Sequence, residues 1–231
     1  MIGSIALRDV TRTYHQGDET ILALNHATLT LAPGEFTTFF GPSGSGKSTA
    51  LNIIGGLDTP TSGEVLVGDH VLSSMTRSER ADFRLRHIGF VFQAYNLIPV
   101  LTAQENVEFI MELQGISVDI RRDRAGEVLQ QVGLAGMEKR RPGELSGGQQ
   151  QRVAVARAIA SNPELILADE PTANLDSASS EALIELMLEL NETYKSTFIF
   201  STHDPLVMKS AHRLIELKDG QIISDTTQGE A

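Results

Sequence analysis

The sequence predicts an α/β fold with a mainly parallel sheet, an N-terminal antiparallel β portion and an inserted helical subdomain. Short apolar runs alternate with helical patterns over much of the 231 residues, the pattern of a parallel sheet with helices on both faces. One such run leads through a glycine-rich loop, Gly41 to Thr49, straight into a helix. Between about residues 94 and 160 the alternation gives way to helices alone.

In chain order, Ile21-Leu-Ala-Leu24 and Ala27-Thr-Leu-Thr-Leu31 are short β-like runs. Glu35-Phe-Thr-Thr-Phe-Phe40 is a strand entering the glycine loop, and Lys47 to Gly55 reads as a helix. Glu64-Val-Leu-Val67 and His70-Val-Leu72 form a hairpin about Gly68-Asp69, and His87-Ile-Gly-Phe-Val-Phe92 is a buried strand. Thr102 with Glu105 is a capping box that opens a helix running to about Gln114. Another helix follows Ser117 or Asp119 and stops near Gly133. Alternation resumes with a strand at Glu164-Leu-Ile-Leu-Ala168. A helix with a core-facing stripe of Leu183, Leu186, Met187 and Leu190 follows, then a strand at Thr197-Phe-Ile-Phe-Ser201. Asp204-Pro205 reads as a helix N-cap with proline at its first position, and Arg213 to Ser224 as a hairpin turning at Asp219-Gly220.

Composition narrows the function. There is no cysteine, hence no disulfide, thiol nucleophile or zinc–thiolate site. A net charge of −11 argues against nucleic acid as the partner. No apolar run is long enough to span a membrane and the N-terminus lacks a secretion signal, which fits the cytoplasm. The six histidines are scattered, none pairing at metal-ligand spacing.

The chemistry concentrates beyond the strand ends, where parallel sheets hold ligands. Gly41, Pro42, Ser43, Gly44, Ser45, Gly46, Lys47, Ser48 and Thr49 fulfil the phosphate-loop pattern G-x-x-x-x-G-K-S. Its glycines let successive N–H groups curl around phosphate oxygens, and the following helix adds its positive end. Lys47 then neutralises the β- and γ-phosphates, Ser48 ligates Mg²⁺ and Thr49 reaches the α-phosphate. Leu165-Ile-Leu-Ala-Asp169-Glu170 ends an apolar strand in adjacent carboxylates that point differently: Asp169 for the metal, Glu170 for the attacking water. Gln93, after the buried strand, is placed to orient water or a metal-bound water, and His203 to bond a γ-phosphate oxygen. A glycine-rich turn that binds nothing, or a strand end closed by solvated acids, are the plain alternatives.

A second glycine loop, Ser146-Gly147-Gly148-Gln149, is also an S-x-x-Q capping box. Gly147 and Gly148 weaken a first helical turn if stability is the only demand, whereas they admit close approach of an anion to the helix N-terminus.

With Leu145-Ser-Gly-Gly-Gln149 in place, the chain resembles the ATP-binding cassette ATPases over essentially all its length. The resemblance implies a P-loop NTPase (RecA-like) core over residues 1–93 and 161–231, and a helical subdomain, 94–160, carrying the signature. It matches Asn174-Leu-Asp176 to the D-loop, Gln93 to the Q-loop, His203 to the switch histidine and Tyr14 to the aromatic that stacks on adenine. ATP and Mg²⁺ are the implied cofactors. The implied assembly is a head-to-tail homodimer, or pairing with a similar cassette, each ATP lying between one chain's phosphate loop and the other's Ser146 loop. Hydrolysis would drive integral membrane permease subunits, with the cassette peripheral on the cytoplasmic face of the inner membrane. Phe90 to Pro99, Leu101 to Val107 and Leu167 to Ser177 resemble the lipoprotein-release and macrolide-export subfamily. Ala173 stands where many relatives have glycine, and Phe109-Ile-Met-Glu112 replaces a frequent Pro-Leu. The runner-up is the cell-division type, which regulates wall hydrolases without transport. The apolar run Tyr95, Leu97, Ile98, Pro99, Val100 and Leu101 is expected to divide between core and a groove for a helix of the membrane partner.

Overall fold

A computed structural model describes residues 3–17 and 19–228. Its six-stranded sheet has the order β10-β9-β3-β8-β7-β6. These strands are β3 (Phe36–Phe40), β6 (Ile88–Phe92), β7 (Leu165–Asp169), β8 (Thr197–Ser201), β9 (Arg213–Lys218) and β10 (Gln221–Thr227). All pairings are parallel except the edge hairpin β9–β10. That hairpin turns at Asp219 and Gly220, with φ of 49° and 77°, the left-handed pair that suits a tight turn between strands. A separate four-stranded antiparallel sheet has the order β2-β1-β4-β5, with β1 at Ile5–Gln16, β2 at Glu19–Leu31, β4 at Ser62–Val67 and β5 at His70–Val71. The α/β architecture with an N-terminal antiparallel portion is as expected.

Seven α-helices lie among the described residues. They are α1 (Lys47–Ile54), α2 (Arg77–His87), α3 (Ala103–Leu113), α4 (Val118–Gln131), α5 (Gly147–Ile159), α6 (Ser177–Tyr194) and α7 (Pro205–Ser210). Two buried clusters lie on opposite faces of the six-stranded sheet. One packs α1 and the antiparallel sheet against Phe39, Leu165, Leu167 and Ile199. The other packs α3 to α6 against Phe36, Ile166, Phe198 and Phe200. Phe36 and Phe200 have ring centroids 4.5 Å apart and both are fully buried, so each ring removes on the order of 2–3 kcal/mol of apolar surface from water. Parallel strands covered on both faces are apolar throughout, which is why Leu165-Ile-Leu-Ala and Thr197-Phe-Ile-Phe do not alternate. The helical segment is thus seated on the sheet by one continuous core.

Two elements differ from expectation. The runs at residues 21–24 and 27–31 are one strand, β2, interrupted near His26, whose φ is +52°, and its register against β1 slips there. The helix α2 was not expected. Its sequence is so polar that only Phe83 is buried, although Thr76 and Glu79 form a complete capping box.

Candidate functional site

Three parallel strands, β3, β7 and β8, deliver the site at their carboxyl ends. The phosphate loop leaves β3 with φ of +142°, +79° and +103° at Gly41, Gly44 and Gly46. Two of these glycines are also demanded by packing. A Cβ on Gly41 would lie 2.0 Å from the carbonyl oxygen of Leu217 in β9, and one on Gly46 2.4 Å from that of Ala23 in β2. The β9–β10 turn clamps the loop further, since Gly220 N–H donates to the Ser45 carbonyl at 3.1 Å. Lys47 is buried, with Nζ donating to the carbonyls of Gly41 at 2.8 Å and Pro42 at 3.0 Å. The Ser45 hydroxyl is buried with no hydrogen-bond partner among the described residues, an unsatisfied polar group inside the loop.

Asp169 and Glu170 do face different partners. Asp169 Oδ1 accepts from Ser48 Oγ at 2.9 Å and from Ser201 Oγ. Glu170 has φ of +48°, a left-handed conformation uncommon outside glycine, and its N–H donates to the Ser201 carbonyl at 2.9 Å. This sends its carboxylate to His203 Nδ1 at 2.9 Å and to the Thr202 hydroxyl at 3.3 Å. The Ser201 and Thr202 hydroxyls are partners that sequence reasoning passed over. The sequence signal was their place where the β8 run ends; the register that sets Ser201 beside Asp169 comes from the fold.

These groups enclose a cavity of about 640 Å³ lined by Gly41 to Thr49, Glu170, His203, Tyr14 and the β2 residues Ile21, Leu22 and Ala23. Tyr14 thus lines the same cavity as the phosphate loop. The β2 residues were not foreseen; only tertiary pairing brings them there. A hydroxyl and a carboxylate held together at Ser48 and Asp169 beside an anion-binding loop are hard oxygen donors of the type Mg²⁺ takes, so these residues fit a metal-bound nucleotide.

Gln93, Ser146 to Gln149 and Asp176 do not line that cavity. Ser146 caps α5 in the expected box, its hydroxyl accepting from Gln149 N–H at 3.3 Å while Gln149 Oε1 accepts from Ser146 N–H at 2.9 Å. Asp176 caps α6; the backbone N–H and hydroxyl of Ser179, at 2.9 and 2.8 Å, hold its carboxyl below the ordinary range. Ser146, Gly148, Gln149 and Ser179 line a separate open cleft of about 320 Å³. Gln93 is exposed, its carbonyl accepting from Asn174 Nδ2 at 2.8 Å. The next turn, with Tyr95 and Asn96 at φ of +59° and +51°, is clamped by Arg157 of α5, whose guanidinium donates to both their carbonyls. Burial pulls the pKa of Arg157 down. Next to it, Phe90, Phe92, Ile98, Phe109 and Ile110 line an apolar cleft of about 270 Å³. In the apolar run after Gln93, Leu97 packs on the core, Ile98 lines this cleft and Val100 is 72% exposed.

The sequence profile described as "ABC transporter" matches residues 24–173, which contain both glycine loops and the two carboxylates. The chain belongs to the ABC transporter family. This cassette is 49% identical over 225 residues to the uncharacterized ABC transporter ATP-binding protein MJ0796 of Methanocaldococcus jannaschii, covering 94% of each chain. It is 47% identical over 224 residues to the macrolide export ATP-binding/permease protein MacB of Brucella melitensis biotype 1, covering 97% of this chain and 34% of that one. The cassette thus spans about a third of the MacB relative. Among solved structures it is similar to a dimeric, post-hydrolysis state of the MJ0796 cassette bound to ADP and Pi. That match has a TM-score of 0.90 and 45% identity, and covers 98% of this chain and 100% of that one. Membership of this family implies ATP binding and ATPase activity. Among the described residues of the cassette, no helix is long and apolar enough to cross a membrane.

Proposed function

We propose that this cassette hydrolyses ATP and passes the cycle of closure and opening to membrane permease subunits, in a system of exporter or lipoprotein-release type. The observation that carries the proposal is Glu170, a carboxylate tethered by His203 and Thr202 on the wall of the phosphate-loop cavity. A site that only stored nucleotide would have no use for an anion beside the phosphates, since it repels them; a base for water does.

The placement of these residues supports the following roles. The loop N–H groups and Lys47 would hold the phosphates, and Ser48 and Asp169 would hold magnesium, with Gln93 joining them in the assembled state. Magnesium, when bound, neutralises charge on the phosphate oxygens. Glu170 takes the proton of the water that attacks the γ-phosphorus as the bond to ADP breaks. His203 fixes Glu170 through Nδ1 and lines the phosphate-loop cavity, which supports its role as a contact to a γ-phosphate oxygen.

Ser146 to Gln149 and Asp176 act in trans. Ser146, Gly148 and Gln149 line a cleft apart from the phosphate loop, and Asp176 is likewise off the phosphate-loop cavity wall, which supports a head-to-tail pair, of two copies or with a similar cassette, in which each Ser146 helix end meets the other's nucleotide. The dimeric state of the MJ0796 cassette supports the same reading. The cleft of Phe90, Phe92, Ile98, Phe109 and Ile110 beside Gln93 takes a cytoplasmic helix of the permease. That contact would hold the cassette on the cytoplasmic face of the inner membrane, with residues 94–160 working as the moving subdomain. Likeness to the MacB relative, which is named as both ATP-binding protein and permease, supports the transport type.

Glu170→Gln tests the chemistry. We expect retained ATP binding, lost turnover and an accumulating ATP-bound dimer; normal turnover would refute Glu170 as the base. Affinity purification of that variant with ATP from solubilised native membranes tests the partner. A permease with a large extracytoplasmic domain is expected. A small membrane protein linked to wall hydrolases would replace the transport reading with the cell-division one.

A further inference from the structure

Tyr14 is held from behind by two charged residues that are not part of the cavity wall. In β1, Arg12 and Tyr14 are two residues apart and so share a face of the strand. The Arg12 guanidinium carbon lies 4.5 Å from the centre of the Tyr14 ring, within cation–π range. Asp58 joins the pair: one carboxylate oxygen accepts the Tyr14 hydroxyl at 2.7 Å and the other the Arg12 Nη2 at 2.8 Å. Asp58 is itself fixed, because its N–H and that of Leu57 donate to the Asn52 carbonyl in α1 at 3.1 and 2.8 Å, and its Oδ1 also accepts from Thr59 N–H at 2.7 Å. Arg12 Nε is buried with no hydrogen-bond partner among the described residues. The guanidinium is therefore placed against the ring rather than where all its donors are met. Tyr14 faces the cavity and Arg12 does not.

We propose that Arg12 and Asp58 are positioning residues for base recognition. They hold the Tyr14 ring so that its open face is presented to a purine base, and Asp58 ties that ring to α1, whose first turn carries Lys47 and Ser48. The base end and the phosphate end of the site are thus registered to one helix, and the ring need not be ordered when the nucleotide arrives. This rests on the ATP-site reading above, with Tyr14 as its stacking aromatic.

The consequence separates two ligands. Loss of the brace weakens binding of the base and leaves binding of the phosphates alone. Calorimetry would compare Mg-ATP with Mg-tripolyphosphate on the wild type, Asp58→Asn, Tyr14→Phe and the double variant, with Arg12→Lys as a milder replacement and thermal melting without ligand as the check on folding. Asp58→Asn keeps shape but loses the charge that holds Arg12; Tyr14→Phe keeps the ring but frees it. Each is expected to weaken ATP by about fivefold to tenfold, the scale of one lost ordinary hydrogen bond, because the brace acts on the base only through the ring. Tripolyphosphate should hold steady, and the double variant should be no weaker than the weaker single. Unchanged ATP affinity in both singles, or a parallel loss for tripolyphosphate, overturns the proposal. Equal affinity of the wild type for the two ligands would instead overturn the base-stacking assignment of Tyr14, and a wild type that binds neither would overturn the ATP site itself.

Discussion

Gly46→Ala and Gly44→Ala make a matched pair that isolates steric packing from backbone conformation in the phosphate loop. Both glycines are left-handed, at φ of +103° and +79°. A methyl group on Gly44 meets nothing within 4 Å, whereas on Gly46 it meets the Ala23 carbonyl oxygen at 2.4 Å and Leu24 Cδ2 at 3.1 Å. Alanine in a left-handed position costs about 1–2 kcal/mol, offset by about 0.4–1 kcal/mol because alanine also restricts the unfolded chain. Gly44→Ala should therefore lose about 1 kcal/mol. Gly46→Ala carries the same conformational cost and must also push loop and β2 apart, both of them backbone, which adds about 1–3 kcal/mol of overpacking. Urea unfolding without nucleotide should separate the variants by about 2 kcal/mol, or about 4–8 °C in melting temperature for a chain of this length. If the two fall within about 0.5 kcal/mol of each other, β2 is not a wall against the loop and the reasoning fails.

Three further outcomes are expected. Lys47→Ala should weaken ATP binding about 10- to 100-fold in calorimetry, since it deletes charged donors to the phosphates as well as those now spent on Gly41 and Pro42. Replacing Ser146 with alanine should impair hydrolysis while isolated chains still bind ATP, and mixing with Lys47→Ala protein should restore some turnover by forming one intact composite site. Finally, hydrogen bonds from Arg213 hold the Asp225 carboxyl below its ordinary value, a bidentate pair at 2.8 and 2.7 Å. A depressed carboxylate stabilises the fold above its unfolded pKa, near 4, and that contribution is lost as pH falls through the lower folded value. Asp225→Asn should therefore flatten part of the decline in melting temperature below about pH 4, with a modest amplitude because the pair is partly exposed.

What was legible in the sequence was whatever depends on local pattern. Thr197–Ser201 and the proline-led helix at Pro205 emerge as read, because apolar runs and caps are short-range signals. The glycine loop and the carboxylates at the end of β7 were visible for the same reason. Helix α2 was missed because one buried ring in eleven residues leaves no apolar period, although its capping box is the same device that revealed α3. The Ser201–Asp169 contact, the Arg157 clamp on Tyr95 and Asn96, and the Arg12–Asp58 brace join residues 32 to 62 positions apart, or elements with no shared motif. Nothing in a linear reading pairs them; the fold does.

The seating of the phosphate loop also has a timing. β3 is flanked by β8 and β9, and the loop it carries is pressed by Leu217 and Gly220. During synthesis the loop leaves the ribosome early, yet both neighbours of its strand and the turn that grips Ser45 follow more than 150 residues later. A nascent chain halted before residue 197 has every phosphate-binding residue of the loop and the β2 wall at Gly46, but lacks β8, β9 and the turn that grips Ser45. Nucleotide capture should therefore wait until β8 and the β9–β10 hairpin have cleared the exit tunnel, so that shorter nascent chains stay out of competition for ATP.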